Sequence, residues 1–184
     1  MIVDALGHAF VSPMPERRRA SELRSPPSGE TPLLTFDGNA VHATEVGLSG
    51  PNGLALSEDG STLVVAETNA NRLTAFNVAA DGGLSGRRLF ADLGDLAPDG
   101  LCMDAEGAVW VGCVFAEQFV RVADGGNVLD RVHVPGRWAV APALGGPRRT
   151  TLYCATARTS LPRFHQGLGT AAIETYEVSV PGIG

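Results

Sequence analysis

The chain has 184 residues, of which 44% are hydrophobic and 18% are charged, and its formal net charge is −6. Those values predict one globular domain over residues 1–184, and they exclude general disorder. All 14 basic residues are arginines, and an acidic chain lacks the basic face of a nucleic-acid-binding protein. No apolar run reaches the ~18 residues that a membrane-spanning helix needs. We therefore expect neither a nucleic acid nor a membrane as a partner.

The cysteines and the N-terminus bear on the compartment. Cys102, Cys113 and Cys154 lie in apolar segments, and their number is odd. That pattern predicts buried free thiols in a reducing compartment. The positive charges near the N-terminus follow the first apolar stretch, whereas in a signal peptide they precede it. These features favour a cytoplasmic protein.

Short apolar segments separated by glycine, proline and aspartate predict an all-β chain. Residues 1–12 predict a hairpin, and the proline- and serine-rich residues 13–31 predict a long flexible loop. Residues 73–78 alternate apolar and polar side chains, which predicts a strand with one solvated face. Further strands are predicted at 33–36, 41–46, 88–93, 119–122, 128–134 and 173–180, with a glycine- and arginine-rich loop at 158–171.

One sequence unit occurs twice in the middle of the chain. PNGLALSEDG at residues 51–60 is followed by the apolar run LVVAET, and PDGLCMDAEG at residues 98–107 is followed by VWVG. In each copy a turn that ends in glycine separates two apolar segments, which predicts a hairpin. Asn52 and Asp99 occupy the same position in the two copies, 47 residues apart.

Weaker copies of the unit, at residues 2–11 and 145–156, bring the number of repeat cores to about four. Repeats of this period that consist of short strands predict the blades of a β-propeller. In a propeller, the turns that carry Asn52 and Asp99 would both enter an inner strand and aim at the central channel. Asn-Gly and Asp-Gly pairs are also common turn formers, so each motif taken alone favours a purely structural turn.

The repeats resemble a known family. The segments PNGLALSEDGSTLVVAETNANRL, APDGLCMDAEGAVWVG and GGPRRTTLYCATA, together with the closing IETYEVSVPGIG, are similar to the C-terminal part of the senescence marker protein (regucalcin), gluconolactonase and luciferin-regenerating enzyme family. The resemblance covers the chain apart from residues 13–31. It implies a six-bladed β-propeller, of which this chain would form an incomplete arc of about four blades.

The resemblance also implies a function and a site. In that family a divalent metal in the channel is bound by the Asn of the PNG turn and the Asp of the PDG turn, which match Asn52 and Asp99. The same Asp is the proposed general base, so Asp99 is the catalytic candidate. The implied reaction is metal-dependent hydrolysis of a sugar-lactone-like substrate. Hard oxygen donors of this kind suit Ca²⁺, Mg²⁺, Mn²⁺ or Zn²⁺.

Departures from the family leave a second reading open. The family brings a Glu ligand from its first blade and further polar groups from the blades that follow, and no segment of this chain matches them. The expectation is therefore a truncated lactonase-like protein whose activity is in question. The alternative is a non-catalytic propeller remnant that acts as a binding or interaction module. An arc of blades exposes strand edges and apolar faces, so we also expect self-association.

Other polar and aromatic residues are expected to be structural. Asp104 and Glu106 belong to a hairpin turn on the rim away from the channel. Glu67 is expected to be a polar group at a blade edge. Trp110 and Trp138 are expected to pack in the core and against loops.

Overall fold

The computed structural model describes residues 1–13, 30–45 and 47–184. Most of the loop predicted at 13–31 therefore lies outside the described residues. The described residues form four antiparallel sheets. The first contains β1 (Ile2–Val3), β2 (Ala9–Val11), β3 (Leu34–Phe36) and β4 (Val41–Ala43). The second contains β5 (Pro51–Leu56), β6 (Thr62–Glu67), β7 (Arg72–Val78) and β8 (Leu84–Asp92).

The other two sheets follow in chain order. The third contains β9 (Pro98–Met103), β10 (Val109–Cys113), β11 (Gln118–Val122) and β12 (Val128–His133). The fourth contains β13 (Trp138–Gly145), β14 (Thr151–Arg158) and β15 (Thr170–Glu177). Two short helices complete the elements, a 3₁₀ turn at Thr68–Ala70 and α1 at Leu161–His165.

The four sheets are arranged as four blades of a β-propeller, as the repeats predict. Within each sheet the strands are hydrogen-bonded in chain order, so each sheet is a meander. The first strands of all four sheets meet around one cavity of about 220 Å³, lined among others by Ile2, Leu54, Leu101 and Leu144. Inner strands that surround a common channel are the defining feature of a propeller. We number the sheets as blades 1 to 4.

Each pair of neighbouring blades is joined by its own apolar cluster. Phe10 and Leu33 of blade 1 pack with Leu63 and Val65 of blade 2. The interfaces between blades 2 and 3 and between blades 3 and 4 are built in the same way. Their buried members include Val64, Ala66, Val109 and Val111 at the first interface, and Trp110, Phe119, Leu152 and Cys154 at the second.

Burial on both faces explains the apolar runs of the inner blades. Along β6, alternate side chains face opposite neighbours, so Leu63 packs towards blade 1 and Val64 packs towards blade 3. A strand that is covered on both sides reads as continuously hydrophobic. The predicted solvated face of residues 73–78 is wrong for the same reason, because Leu73, Thr74, Ala75 and Phe76 are all buried.

The two copies of the sequence unit have the same local structure. Both form hairpins, β5–β6 and β9–β10, and both turns end in a glycine with positive φ, 71° at Gly60 and 76° at Gly107. Only glycine adopts that conformation without strain. The main secondary-structure error is at 158–171, where a loop was expected and α1 forms. In the described part of the chain, no helix is long and apolar enough to cross a membrane.

Candidate functional site

Asn52 and Asp99 lie at the same place in adjacent blades, at the start of the inner strands β5 and β9. In blade 2 the register shifts between Pro51 and Leu54, and in blade 3 it shifts between Pro98 and Leu101. In each case two residues of the inner strand face one residue of the next strand, which is a β-bulge. Bulges turn a side chain out of the regular pleat, and both polar residues lie in the bulge of their blade.

Glycines next to the two polar residues allow the inner strands to approach closely. A Cβ on Gly53 would lie 2.5 Å from the backbone oxygen of Asp99, and a Cβ on Gly100 would lie 2.5 Å from the Cβ of Ala141. Any larger residue would therefore push blade 2 away from blade 3, or blade 3 away from blade 4. The glycines of the PNG and PDG motifs thus serve interblade packing as well as the turn.

The structure brings the predicted pair together. Asp99 is half-buried, and this burial raises the pKa of its carboxyl group above its ordinary value, while a side-chain hydrogen bond from Asn52 lowers it by less. Within the described residues, no arginine or histidine forms an ion pair with Asp99. The carboxylate is therefore a partly desolvated negative charge whose described partner is a neutral amide.

Thr68 links the two strands that carry the pair. Its hydroxyl donates to the backbone oxygen of Pro98 at 2.7 Å, and the side-chain amide nitrogen of Asn52 donates to the same hydroxyl at 3.3 Å. Thr68 follows directly after β6, where the 3₁₀ turn begins. The sequence analysis did not single out this residue, because a threonine at the end of an apolar strand has no distinctive pattern.

Glu67 anchors the loop in front of Asn52, and its placement at a blade edge was wrong because the side chain is fully buried. Its carboxylate accepts hydrogen bonds from Arg72 at 2.9 Å, from the hydroxyl of Thr74 at 2.5 Å and from the backbone N–H of Ser49 at 2.8 Å. Arg87 lies 3.4 Å away. Burial alone would raise the pKa of Glu67, but the hydrogen bonds from Arg72, Thr74 and Ser49 outweigh it and lower the pKa to about 2. Glu67 is therefore ionised and structural.

Blade 4 does not contribute a third polar group at this level. In β13 the register shifts between Ala139 and Ala141, so Val140 holds the position that Asn52 and Asp99 hold in their blades. Further along the same inner strands, Leu54 and Leu101 line the apolar cavity, and Ile183 lines it as well. Among the described residues, no group of three His, Cys, Asp or Glu side chains could hold a metal ion.

The two oxygens of this site fit a hard divalent cation as part of its ligand set. Asp99 offers a carboxylate without a described counter-charge, and the hydrogen bonds of the Asn52 side chain use its nitrogen and leave Oδ1 as an acceptor. Ca²⁺ normally takes ~6–8 oxygen ligands. Water, substrate or further protein groups would have to complete the set.

Aromatic side chains cluster at the same end of the propeller. Trp138 opens β13, and its ring lies 5.4 Å from that of Phe115 and 5.5 Å from that of Phe164 in α1. Trp138 therefore packs against loop residues, and Trp110 is fully buried between blades 3 and 4.

At the opposite end of the β9–β10 hairpin, Asp104 is fully buried and pairs with Arg121 at 2.6 Å.

Residues 1–158 match the family described as the SMP-30/Gluconolactonase/LRE-like region. The chain belongs to this family. The match agrees with the resemblance in the sequence, and it covers both the PNG and the PDG hairpins.

Individual curated relatives also support the family. The chain is 32% identical over 110 residues to the 6-deoxy-6-sulfogluconolactonase of Pseudomonas putida, a match that covers 58% of this chain and 38% of that protein. It is 27% identical over 166 residues to the regucalcin of Gallus gallus, covering 88% of this chain and 54% of that protein. The chain therefore spans about half the length, or less, of these curated relatives.

A solved structure supports the arrangement of the blades. The structure of a calcium-binding regucalcin from Agrobacterium tumefaciens superimposes with a TM-score of 0.69 at 26% identity. The superposition covers 83% of this chain and 54% of that chain. The fold predicted from the repeats and the predicted family are thus confirmed.

Proposed function

We propose that this chain carries the channel site of a metal-dependent lactone hydrolase of the gluconolactonase type, with Asp99 as general base and metal ligand and Asn52 as a second ligand. The observation that carries the proposal is the side-chain contact between Asn52 and Asp99, which come from the inner strands of two neighbouring blades. One relative is a 6-deoxy-6-sulfogluconolactonase, which supports the substrate class, and another is a calcium-binding regucalcin, which supports a divalent cation.

The chemistry follows from the placement of the carboxylate. A hard divalent cation bound by Asn52 and Asp99 would supply Lewis acidity towards the lactone carbonyl. Ionised Asp99 would take a proton from a water molecule while the oxygen of that water bonds to the carbonyl carbon. When the ring C–O bond breaks, Asp99 returns that proton to the departing oxygen, and the product is a hydroxy acid.

The proposal is tested by the Asp99→Asn variant. Proton release from glucono-1,5-lactone would be followed with Ca²⁺, Mn²⁺, Zn²⁺ or Mg²⁺, and metal binding would be followed by calorimetric titration. A general base contributes about 10²–10⁴-fold to a rate, so we expect a loss of that size together with weaker metal binding. Activity should also fall in acid, because a protonated Asp99 can neither accept a proton from water nor bind a cation as its carboxylate would.

Asp95→Asn is the matched control. Asp95 is exposed and lies four residues before Asp99 on the same connection between blades, so this variant should keep the wild-type rate and affinity. Wild-type hydrolysis in Asp99→Asn would refute the role of Asp99. Absence of both metal binding and hydrolysis in the wild type would refute the hydrolase and favour the non-catalytic module.

A specific observation supports the binding module as a second candidate. Val3, Phe36 and Val41 share the outer face of blade 1 and are 52%, 38% and 64% exposed. Tyr153 and Ile173 are exposed on the outer face of blade 4. Exposed apolar faces of this kind favour association. Light scattering should show a mass that rises with concentration, and a monodisperse monomer that melts cooperatively would contradict self-association.

A further inference from the structure

We propose that Thr68 is a positioning residue that sets the orientation of the Asn52 amide and couples the strand of Asn52 to the strand of Asp99. The proposal concerns the site described above and rests on the proposed function for its consequence. Its structural part stands on contacts within the chain.

The orientation follows from the proton count of a hydroxyl group. A threonine hydroxyl has one proton to donate and lone pairs to accept with. Thr68 donates its proton to the backbone oxygen of Pro98 at 2.7 Å. Towards Asn52 the hydroxyl can therefore only accept, so it selects the amide nitrogen, which lies 3.3 Å away, in the same sense as the Asp99 carboxylate, which also accepts from the Asn52 side chain. With its nitrogen held by Thr68, the Asn52 amide keeps Oδ1 as the atom available to a cation.

The backbone holds Thr68 in place on the other side. Its N–H donates to the backbone oxygen of Gly50 at 3.0 Å, and the next residue, Asn69, donates to that of Ser49 at 3.2 Å. Glu67, directly before Thr68, accepts from the backbone N–H of Ser49. The segment that leads into Asn52 is thus tied to the residues around Thr68, and the hydroxyl acts from a fixed position.

The repeat itself shows that the hydroxyl is not needed to build a blade. Cys113 pairs with Pro98 as Glu67 pairs with Pro51, so Val114 is the counterpart of Thr68 in blade 3. The backbone N–H of Val114 donates to the oxygen of Ala97 at 3.2 Å, the same contact that Thr68 makes to Gly50. Valine and threonine have nearly the same shape. The hydroxyl is therefore an addition in the blade that carries Asn52.

The expected consequence is a change in affinity for a cation. Groups that orient a metal ligand typically contribute about 10–100-fold to metal affinity. Thr68→Val keeps the shape of the side chain and makes blade 2 resemble blade 3 at this position. It removes the hydroxyl, and with it the hydrogen bond to the backbone oxygen of Pro98. Thr68→Ser keeps the hydroxyl. We expect the first variant to weaken metal binding by about 10–100-fold and the second to restore it.

Thr159→Val is the matched control. The hydroxyl of Thr159 donates to the backbone oxygen of Leu168 at 2.8 Å, close to the length of the Thr68 bond to Pro98, but it lies in the loop after β14. Each variant would be titrated with Ca²⁺ and Mn²⁺ and melted. A merely structural role predicts that Thr68→Val and Thr159→Val lower the melting temperature alike and leave affinity unchanged.

A second readout does not depend on metal binding or activity. NMR relaxation of the Asn52 side-chain NH₂ group reports whether the amide is held. We expect a rigid NH₂ group in the wild type and in Thr68→Ser, and a more mobile one in Thr68→Val, where only the Asp99 carboxylate still accepts from it. Unchanged Asn52 mobility in Thr68→Val overturns the proposal. If the wild type binds no metal, the proposed function fails, and the NMR comparison alone decides the role of Thr68.

Discussion

Glu67 gives the sharpest test of how the site is supported. We predict that Glu67→Gln destabilises the protein by about 2–3 kcal/mol at pH 7. The carboxylate is fully buried and accepts charged hydrogen bonds from Arg72, and its pKa falls from an ordinary value of 4.5 to about 2. At about 1.4 kcal/mol per pKa unit, that shift corresponds to about 3 kcal/mol. The Arg72 side chain is 36% exposed, so solvent screening reduces the value.

The pH dependence has a definite sign. Because the pKa of Glu67 is lower in the folded state than in the unfolded state, its stabilising contribution is present above about pH 4.5 and is lost as the pH falls towards 2. The wild type should therefore lose stability across that window. Glu67→Gln, which cannot titrate, should lose about 2–3 kcal/mol less there than the wild type does.

Urea unfolding at several pH values, followed by the fluorescence of buried Trp110, would measure both quantities. Glu106→Gln is the matched control, because Glu106 also pairs with an arginine at 2.8 Å but its side chain is 65% exposed. An exposed ion pair contributes less than about 1 kcal/mol. The reasoning fails if the two variants lower the free energy of unfolding by the same amount, or if the stability of Glu67→Gln declines in acid as much as that of the wild type.

Two further predictions follow from close packing and from burial. Gly53→Ala should lower the free energy of unfolding by about 1–3 kcal/mol in chemical denaturation, because the new Cβ would lie 2.5 Å from the backbone of Asp99. In the control Gly60→Ala, the new Cβ meets nothing within 4 Å but the backbone has positive φ, so the loss should be about 1 kcal/mol. A larger loss in Gly60→Ala than in Gly53→Ala would contradict the packing argument. Burial raises the pKa of Cys102, Cys113 and Cys154 to about 12 each. Ellman's reagent should therefore label the thiols of the native protein slowly at pH 8 and label all three in urea. Rapid labelling of any one thiol in the native protein would contradict its burial.

Much of the fold follows from local sequence. The turns that end at Gly60 and Gly107 require glycine, and the apolar runs of β6 and β10 require cover on both faces. Those constraints are local, so they are visible in the repeat of 47 residues. Helix α1 was missed because its five residues carry too short a pattern to indicate a helix.

The candidate pair was predicted, but its surroundings were not. Asn52 and Asp99 stand out because each is a polar residue at the same position of two similar segments. Thr68 and Glu67 do not stand out, because their roles depend on which backbone groups reach them from Pro98, Ser49 and the strand β7.

The sequence by itself therefore determined the all-β class, the repeat, the family and the shared position of Asn52 and Asp99 in the repeat, since each of these is written in residue types and their spacing. Only the tertiary structure decided that a hydroxyl contacts the Asn52 amide, that Glu67 is a buried anchor and that Asp99 has no described counter-charge. The physical reason is that hydrogen bonding and desolvation depend on the distances between blades, and segments remote in the chain set those distances.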